Sequence, residues 1–138
     1  MRIGAYQFDV TGDIQKNTKI ICEAIKKAAE AGVRFLVFPE CAMTGYPPRD
    51  IESSVQVDFE EAERAYSKVQ ALVDDYGISV LLGTIIREES RFYNSAMLLE
   101  PHRRNTIYHK RALWGWDRDN FSDGNLPGVF EIEGLRIG

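Results

Sequence analysis

Residues 34–38 read Arg-Phe-Leu-Val-Phe, a run that is apolar after its first residue and is followed at once by Pro39 and Glu40. Such a run has no polar face to offer water, so it suits a strand covered on both sides, as the strands of parallel sheets are. What precedes it fits that reading. Residues 2–8 read as a short buried strand. Asp13 or Thr11 offers a helix N-cap. Ile14, Ile21, Ile25 and Ala28 then recur at helical spacing, and Gly32 supplies a stop. Strand, helix and strand with short joints make a βαβ unit, whose strands are parallel neighbours. The fold class expected is α/β.

The remainder continues the alternation. Residues 39–57 are irregular, marked by Pro39, Gly45, Pro47 and Pro48. A second helix is predicted from about 58 to 76, with Phe59, Ala62, Tyr66, Val69, Leu72 and Tyr76 on one face. Asp58, Glu60 and Glu61 stand where carboxylates suit the helix dipole, and Gly77 ends the element. Strands are predicted at 78–86, 92–100 and 104–108, with a polar turn at Glu88-Glu89-Ser90 and a hairpin turn around Pro101. A long loop fills 110–128, and two more strands occupy 129–133 and 135–138. A hairpin interrupted in its second strand leaves backbone groups unpaired, which points to a truncated sheet. No repeat or linker divides residues 1–138, so one domain is expected.

Composition narrows the function classes. Hydrophobic residues are 44% and charged residues 28% of 138, ordinary for a globular chain. A net charge of −4 and a pI near 5.2 give no electrostatic footprint for nucleic acid. The densest positive cluster, Lys110 and Arg111 with Arg103 and Arg104 nearby, is too small for a polyanion site. No run approaches the roughly 18 apolar residues of a membrane span, and the first strand lacks the features of a signal peptide. The expected location is cytoplasmic, with no membrane partner. Cys22 and Cys41 cannot build a disulfide framework. His102 and His109 are too few and badly spaced for zinc, and no glycine-rich phosphate loop is present. No cofactor or metal is expected.

Two residues stand where chemistry gathers in open α/β sheets, at the C-terminal ends of strands. Glu40 follows the run 34–38, and a carboxylate there can act as a general base. Position alone also allows a Glu that caps the loop or faces solvent. Lys110 follows the strand 104–108, and an ammonium held there can stabilise an oxyanion; a solvated loop Lys is the alternative. Cys22, on the first helix with no His near it, reads as structural. Cys41 adjoins Glu40, but neighbours after a strand point in different directions, and a free Cys is commonly a small buried hydrophobe.

Phe38-Pro39-Glu40, continuing to Thr44-Gly45-Tyr46, resembles the first signature of the nitrilase superfamily of carbon–nitrogen hydrolases. Tyr108-His109-Lys110, then Leu113, Phe121 and Gly124, is similar to the second. Gln7, Asn17 and Tyr93-Asn94 also match residues the family tends to place there. The resemblance runs in order over essentially the whole chain. It implies an N-terminal portion of a single domain with the family's four-layer αββα sandwich. It also implies that Glu40 is the general base and Lys110 the oxyanion-stabilising lysine. The nucleophile would be a Cys shortly after a strand that begins like Leu135-Arg136-Ile137-Gly138, beyond the last residue. Many relatives carry a further Glu four residues before the Phe of the second signature. Asp117 stands there, one methylene shorter, keeping the charge but reaching less far.

Tyr46 and Trp114 flank the two signatures and are candidates for the substrate pocket. The implied substrate is a small amide or nitrile, and the chain alone is expected to be inactive. Gly45-Tyr46-Pro47-Pro48-Arg49-Asp50 also resembles the glutaminase domain of glutamine-dependent NAD synthetases. A non-catalytic short form that binds a partner is the alternative from another class. Two helices cannot cover both sides of two sheets, so association is expected through the end strand 129–138: a homo-oligomer, or pairing with a missing C-terminal half.

Overall fold

The computed structural model describes residues 1–138. Its order is β1 (Ile3–Ala5), α1 (Ile14–Glu30), β2 (Phe35–Val37), a 3-10 turn (Ser54–Gln56), α2 (Phe59–Tyr76), β3 (Ser79–Glu88), β4 (Arg91–Leu99), β5 (Thr106–His109), α3 (Asp117–Asn120), β6 (Phe130–Ile132) and β7 (Leu135–Ile137). The first five strands form one sheet in sequence order, and β6 and β7 pair with each other. β1, β2 and β3 are parallel, whereas β4 and β5 return antiparallel. Parallel neighbours need a crossover. α1 supplies the first and the stretch containing α2 the second.

Each long helix starts on an aspartate. The Asp13 side chain accepts from Lys16 N at 3.0 Å, and Asp58 accepts from Glu61 N at 2.9 Å. Thr11, the other N-cap candidate, instead donates its backbone N–H to Asn17 Oδ1 at 3.1 Å. α2 ends at Gly77, whose φ of 61° is left-handed. Both helices pack on one face of the sheet. Ile21, Ile25, Val69 and Val73 meet Leu36, Val80, Leu82, Met97 and Leu99 there. The alternation of strand side chains sends Phe35, Leu81 and Leu98 to the opposite face, where Phe130 and Ile132 of the β6–β7 hairpin cover them. The layers therefore run α, β, β, three of the four in an αββα sandwich.

The structure departs from the sequence pattern at several elements: β5 spans Thr106–His109 rather than 104–108, and Tyr76, expected on the apolar face of α2, is 41% exposed. The first strand stops at Ala5; one further bond, from Tyr6 N to Val37 O, continues the ladder before the chain turns away. The loop 110–128 contains the short helix α3, too brief to show a helical period.

One close approach fixes the geometry of the site end. The turn after β2 lies directly on β3 at Gly83, where a Cβ would fall 2.1 Å from Pro39 O and 2.7 Å from Cys41 N. Both obstacles are backbone, so neither yields easily. Gly83→Ala is expected to cost roughly 3 kcal/mol of unfolding free energy through overpacking. Gly77→Ala, with open space around its Cβ, is expected to cost about 1 kcal/mol from its left-handed backbone alone. Urea unfolding of both variants checks the contrast; equal midpoints would show that the turn does not rest on β3.

Candidate active site

Glu40 reaches its place by a short route from β2. Phe38 N still donates to Leu81 O at 2.9 Å, and Pro39, with no N–H, then leaves the ladder. The chain folds into a compact turn closed by Gly45 N to Cys41 O at 2.8 Å and tied to the sheet by Met43 N to Gly83 O at 3.1 Å. Cys41 takes a left-handed φ of 50°. Its side chain is fully buried, while that of Glu40 is half-exposed. Lys110 leaves β5 beside β4, with its N–H on Asn94 O at 2.8 Å and its carbonyl accepting from Gly124 N at 2.9 Å. Pairing Ser95 with His109 and Asn94 with Ile85 sets these positions in a row across the strand ends.

The side chains then converge. Lys110 Nζ donates to Glu40 Oε1 at 2.8 Å and lies 2.8 Å from Asp117 Oδ2. Asp117, the first residue of α3, is buried, its side chain 3% exposed. Its Oδ1 accepts from Tyr46 OH at 2.9 Å and from Asn94 Nδ2 at 3.3 Å. The same Nδ2 donates to Glu40 Oε1 at 2.6 Å. Although shorter than a glutamate, Asp117 makes these contacts because α3 carries its backbone inward.

The charges follow from the contacts. Burial alone would push the Asp117 carboxyl up, but hydrogen bonds from Lys110, Tyr46 and Asn94 outweigh it and hold the group below the usual carboxylate range. Burial likewise opposes the Lys110 ammonium, yet its bonds to Asp117 and Glu40 prevail and raise it above an ordinary lysine. Burial and the bond to Asp117 push the Tyr46 hydroxyl up to about 12. At neutral pH the cluster holds a charged lysine, a charged Asp117 and a neutral tyrosine that donates.

An open cleft of about 770 Å³ adjoins the cluster, with Glu40, Tyr46, Arg49, Asp50 and Trp116 among its walls. This is within the usual range of small-molecule sites. A second recess of about 200 Å³, walled by Leu81, Ala96 and Tyr108, also opens on Glu40 and Lys110. Glu40 thus stands between the two. Of the residues singled out from the sequence, Glu40, Lys110, Asp117 and Tyr46 come together here. Trp114 does not: it is 81% exposed and lines neither space. Trp116, beyond the left-handed Gly115, takes the wall instead. The aromatic content of 110–128 was the signal, but a turn decides which ring faces in. Asn94 carried no role in the sequence reading beyond its match to the family pattern, because its part depends on cross-strand register.

The two thiols stand apart from this chemistry. Cys41 Sγ contacts Asn94 Oδ1 at 3.7 Å. Burial, with the negative charges of Glu40 and Asp117, pushes its pKa well above the ordinary thiol range. Cys22 lies half-buried on α1, and burial raises it as well. No group of three His, Cys, Asp or Glu side chains is placed to hold a metal ion, and no helix is long and apolar enough to cross a membrane.

This chain belongs to the carbon–nitrogen hydrolase family, whose model matches residues 2–138. It is similar to the glutamine-dependent NAD(+) synthetase of Thermotoga maritima, 30% identical over 144 residues, covering all of this chain and 24% of that protein. It is also similar to the arylacetonitrilase of Macrophomina phaseolina, 28% identical over 140 residues, covering 91% of this chain and 39% of that one. Among solved structures it superposes on the Nesterenkonia AN1 amidase of the nitrilase superfamily with a TM-score of 0.85 and 28% identity. That match covers 99% of this chain and 54% of the amidase. In another structure of that amidase, acrylamide is attached at the active-site cysteine. The chain thus spans about half the length of the solved amidase and less of the other two relatives.

Two outcomes are expected from the cluster. Asp117→Asn removes a buried charge that accepts three hydrogen bonds, and should cost roughly 2–3 kcal/mol at pH 7. Because the folded carboxyl lies below its unfolded value of about 3.9, the stability it adds is present above that value. It is lost as pH falls through the folded value. The gap between wild type and variant in urea unfolding should therefore narrow below about pH 4, and a gap unchanged at pH 2 would count against the ionised Asp117. Separately, Cys41 should react with iodoacetamide only as fast as the folded chain opens, as mass spectrometry would show. Fast, selective labelling of the native protein would contradict its burial.

Proposed function

We propose that Glu40, Lys110 and Asp117 are the acid–base and electrostatic half of a site that hydrolyses a small amide or nitrile through a thioester. The observation that carries this reading is the Lys110 ammonium held 2.8 Å from both Glu40 and Asp117, in a chain of the carbon–nitrogen hydrolase family. Glu40 acts as general base. Lys110 presents positive charge where an oxyanion develops, and Asp117 holds the lysine in place. Tyr46, with Trp116 in place of Trp114, forms the substrate wall.

The nucleophile is a thiol supplied from outside residues 1–138, since neither Cys41 nor Cys22 is exposed beside Glu40 with a lowered pKa. For an amide, the thiol sulfur bonds to the carbonyl carbon as Glu40 takes its proton. The C–N bond then breaks, and the leaving amine receives that proton. Water next attacks the thioester with Glu40 again as base, releasing the acid and restoring the thiol. A thiol with an ordinary pKa near 8.5 needs such a base at neutral pH.

A second reading, a glutaminase, is favoured by the similarity to the Thermotoga synthetase across the whole chain. The Gly45 to Asp50 stretch lies on the large cleft, yet the Arg49 guanidinium is already bound by Asp50, at 2.9 Å from Nε and 2.8 Å from a terminal nitrogen. A glutamine carboxylate would have to displace that pair.

The 138-residue chain alone should release no ammonia from glutamine, butyramide or phenylacetonitrile above the buffer rate. In the protein together with its thiol-bearing segment, Glu40→Gln should lower kcat by about 10²–10⁴ and Lys110→Met by about 10²–10³. The amide that turns over identifies the reading. Catalytic ammonia release by the purified chain, or wild-type turnover by Glu40→Gln, would sink it.

A further inference from the structure

We infer that Asn94 is the positioning residue of the site: its carboxamide fixes which oxygen of Glu40 is available to take a proton. This inference rests on the reading of Glu40 as general base. Asn94 lies on β4 with 4% of its surface exposed, and its amide is used in full. Nδ2 donates to Glu40 Oε1 at 2.6 Å and to Asp117 Oδ1 at 3.3 Å, while Oδ1 accepts from Cys41 Sγ at 3.7 Å. Its backbone carbonyl holds the N–H of Lys110. One residue of the sheet therefore touches the turn after β2, the start of α3 and the end of β5.

The consequence falls on Glu40. Oε1 receives two donors, Asn94 Nδ2 and Lys110 Nζ, whereas Oε2 has no hydrogen-bond partner in the protein. A carboxylate bound through one oxygen by two donors from different directions cannot rotate without losing both. The side chain is half-exposed, so without Asn94 it would keep one donor on a flexible lysine and swing about it. The buried amide supplies the rigid second point. It also separates two carboxylates that share one ammonium, since the charged groups facing it are Glu40, Asp117 and Lys110, with the neutral Tyr46 and Cys41 beside them.

The test uses the intact protein with its thiol-bearing segment. Asn94→Leu matches the size of the side chain and removes both donors. Asn94→Ala removes them without steric demand and serves as the readout if the leucine variant does not fold. In the folded variant, kcat should fall about a hundredfold, as small misplacements of a reacting group do, with KM little changed. The loss should appear in kcat and kcat/KM alike, a split that lowered stability alone would not produce. A variant with lowered thermal stability but wild-type kcat would overturn the positioning role. If Glu40→Gln is inactive in the same assay, the reading of Glu40 survives that result. If Glu40→Gln turns over like wild type, the base assignment falls and the role of Asn94 falls with it.

Discussion

The Lys110 ammonium, shared between Glu40 and Asp117, is the interaction on which the site end of this fold depends. Two carboxylates brought to one cation would repel each other without it, and Asp117 is buried too deeply for water to screen the charge. Removing either partner would strand a charge. The surrounding bonds follow from that demand: Tyr46 and Asn94 satisfy the remaining oxygen of Asp117, and the hydroxyl of Tyr46 is held neutral so that it can donate. A buried ion pair is weak evidence of stability on its own. Here its worth lies in orientation, because it ties the ends of β2 and β5 to the first turn of α3.

That tie requires the backbone to come closer than side chains usually permit. The turn carrying Glu40 sits on β3 at Gly83, so the absence of one Cβ sets how near the carboxylate comes to Asn94 and Lys110. The parallel strands bring the turn to the sheet's end, and the antiparallel return of β4 and β5 brings Lys110 back to it. Neither pairing pattern alone would suffice. An all-parallel continuation would put the residue after β5 at the end of another crossover, with no reason to face Asn94.

Much of this was legible in the sequence, for reasons that also mark where legibility stops. The apolar run 34–38 and the caps at Asp13 and Asp58 act locally, so β2, α1 and α2 lie close to where their patterns place them. Glu40 and Lys110 stood out because each follows a strand and each is a residue type that acyl transfer uses. Asp117 could be named by resemblance, but its reach depends on α3, a four-residue helix without a readable period. The exchange of Trp114 for Trp116 goes with the left-handed turn at Gly115, which the aromatic content of the loop does not reveal. Asn94 was hidden most deeply, since its contacts are created by the register of β3, β4 and β5.

Cys41 shows what this environment does to a thiol. Buried beside Glu40 and Asp117, its pKa is driven up by desolvation first and by the two negative charges after it, with Lys110 only partly opposing them. The recess between Glu40 and Tyr108 differs: Glu40 is the one carboxylate in its wall, with Lys110 beside it, and Leu81 and Tyr108 belong to the other face of the sheet from the cluster that buries Cys41. In the proposed reaction a thiol entering there would find Glu40 within reach as its base. The proposed route then has that thiol give its proton to Glu40 as the new bond to carbon forms. In that route the Lys110 charge, held between two carboxylates in the resting site, would count most when the Glu40 carboxylate has accepted a proton and negative charge appears on the substrate oxygen instead.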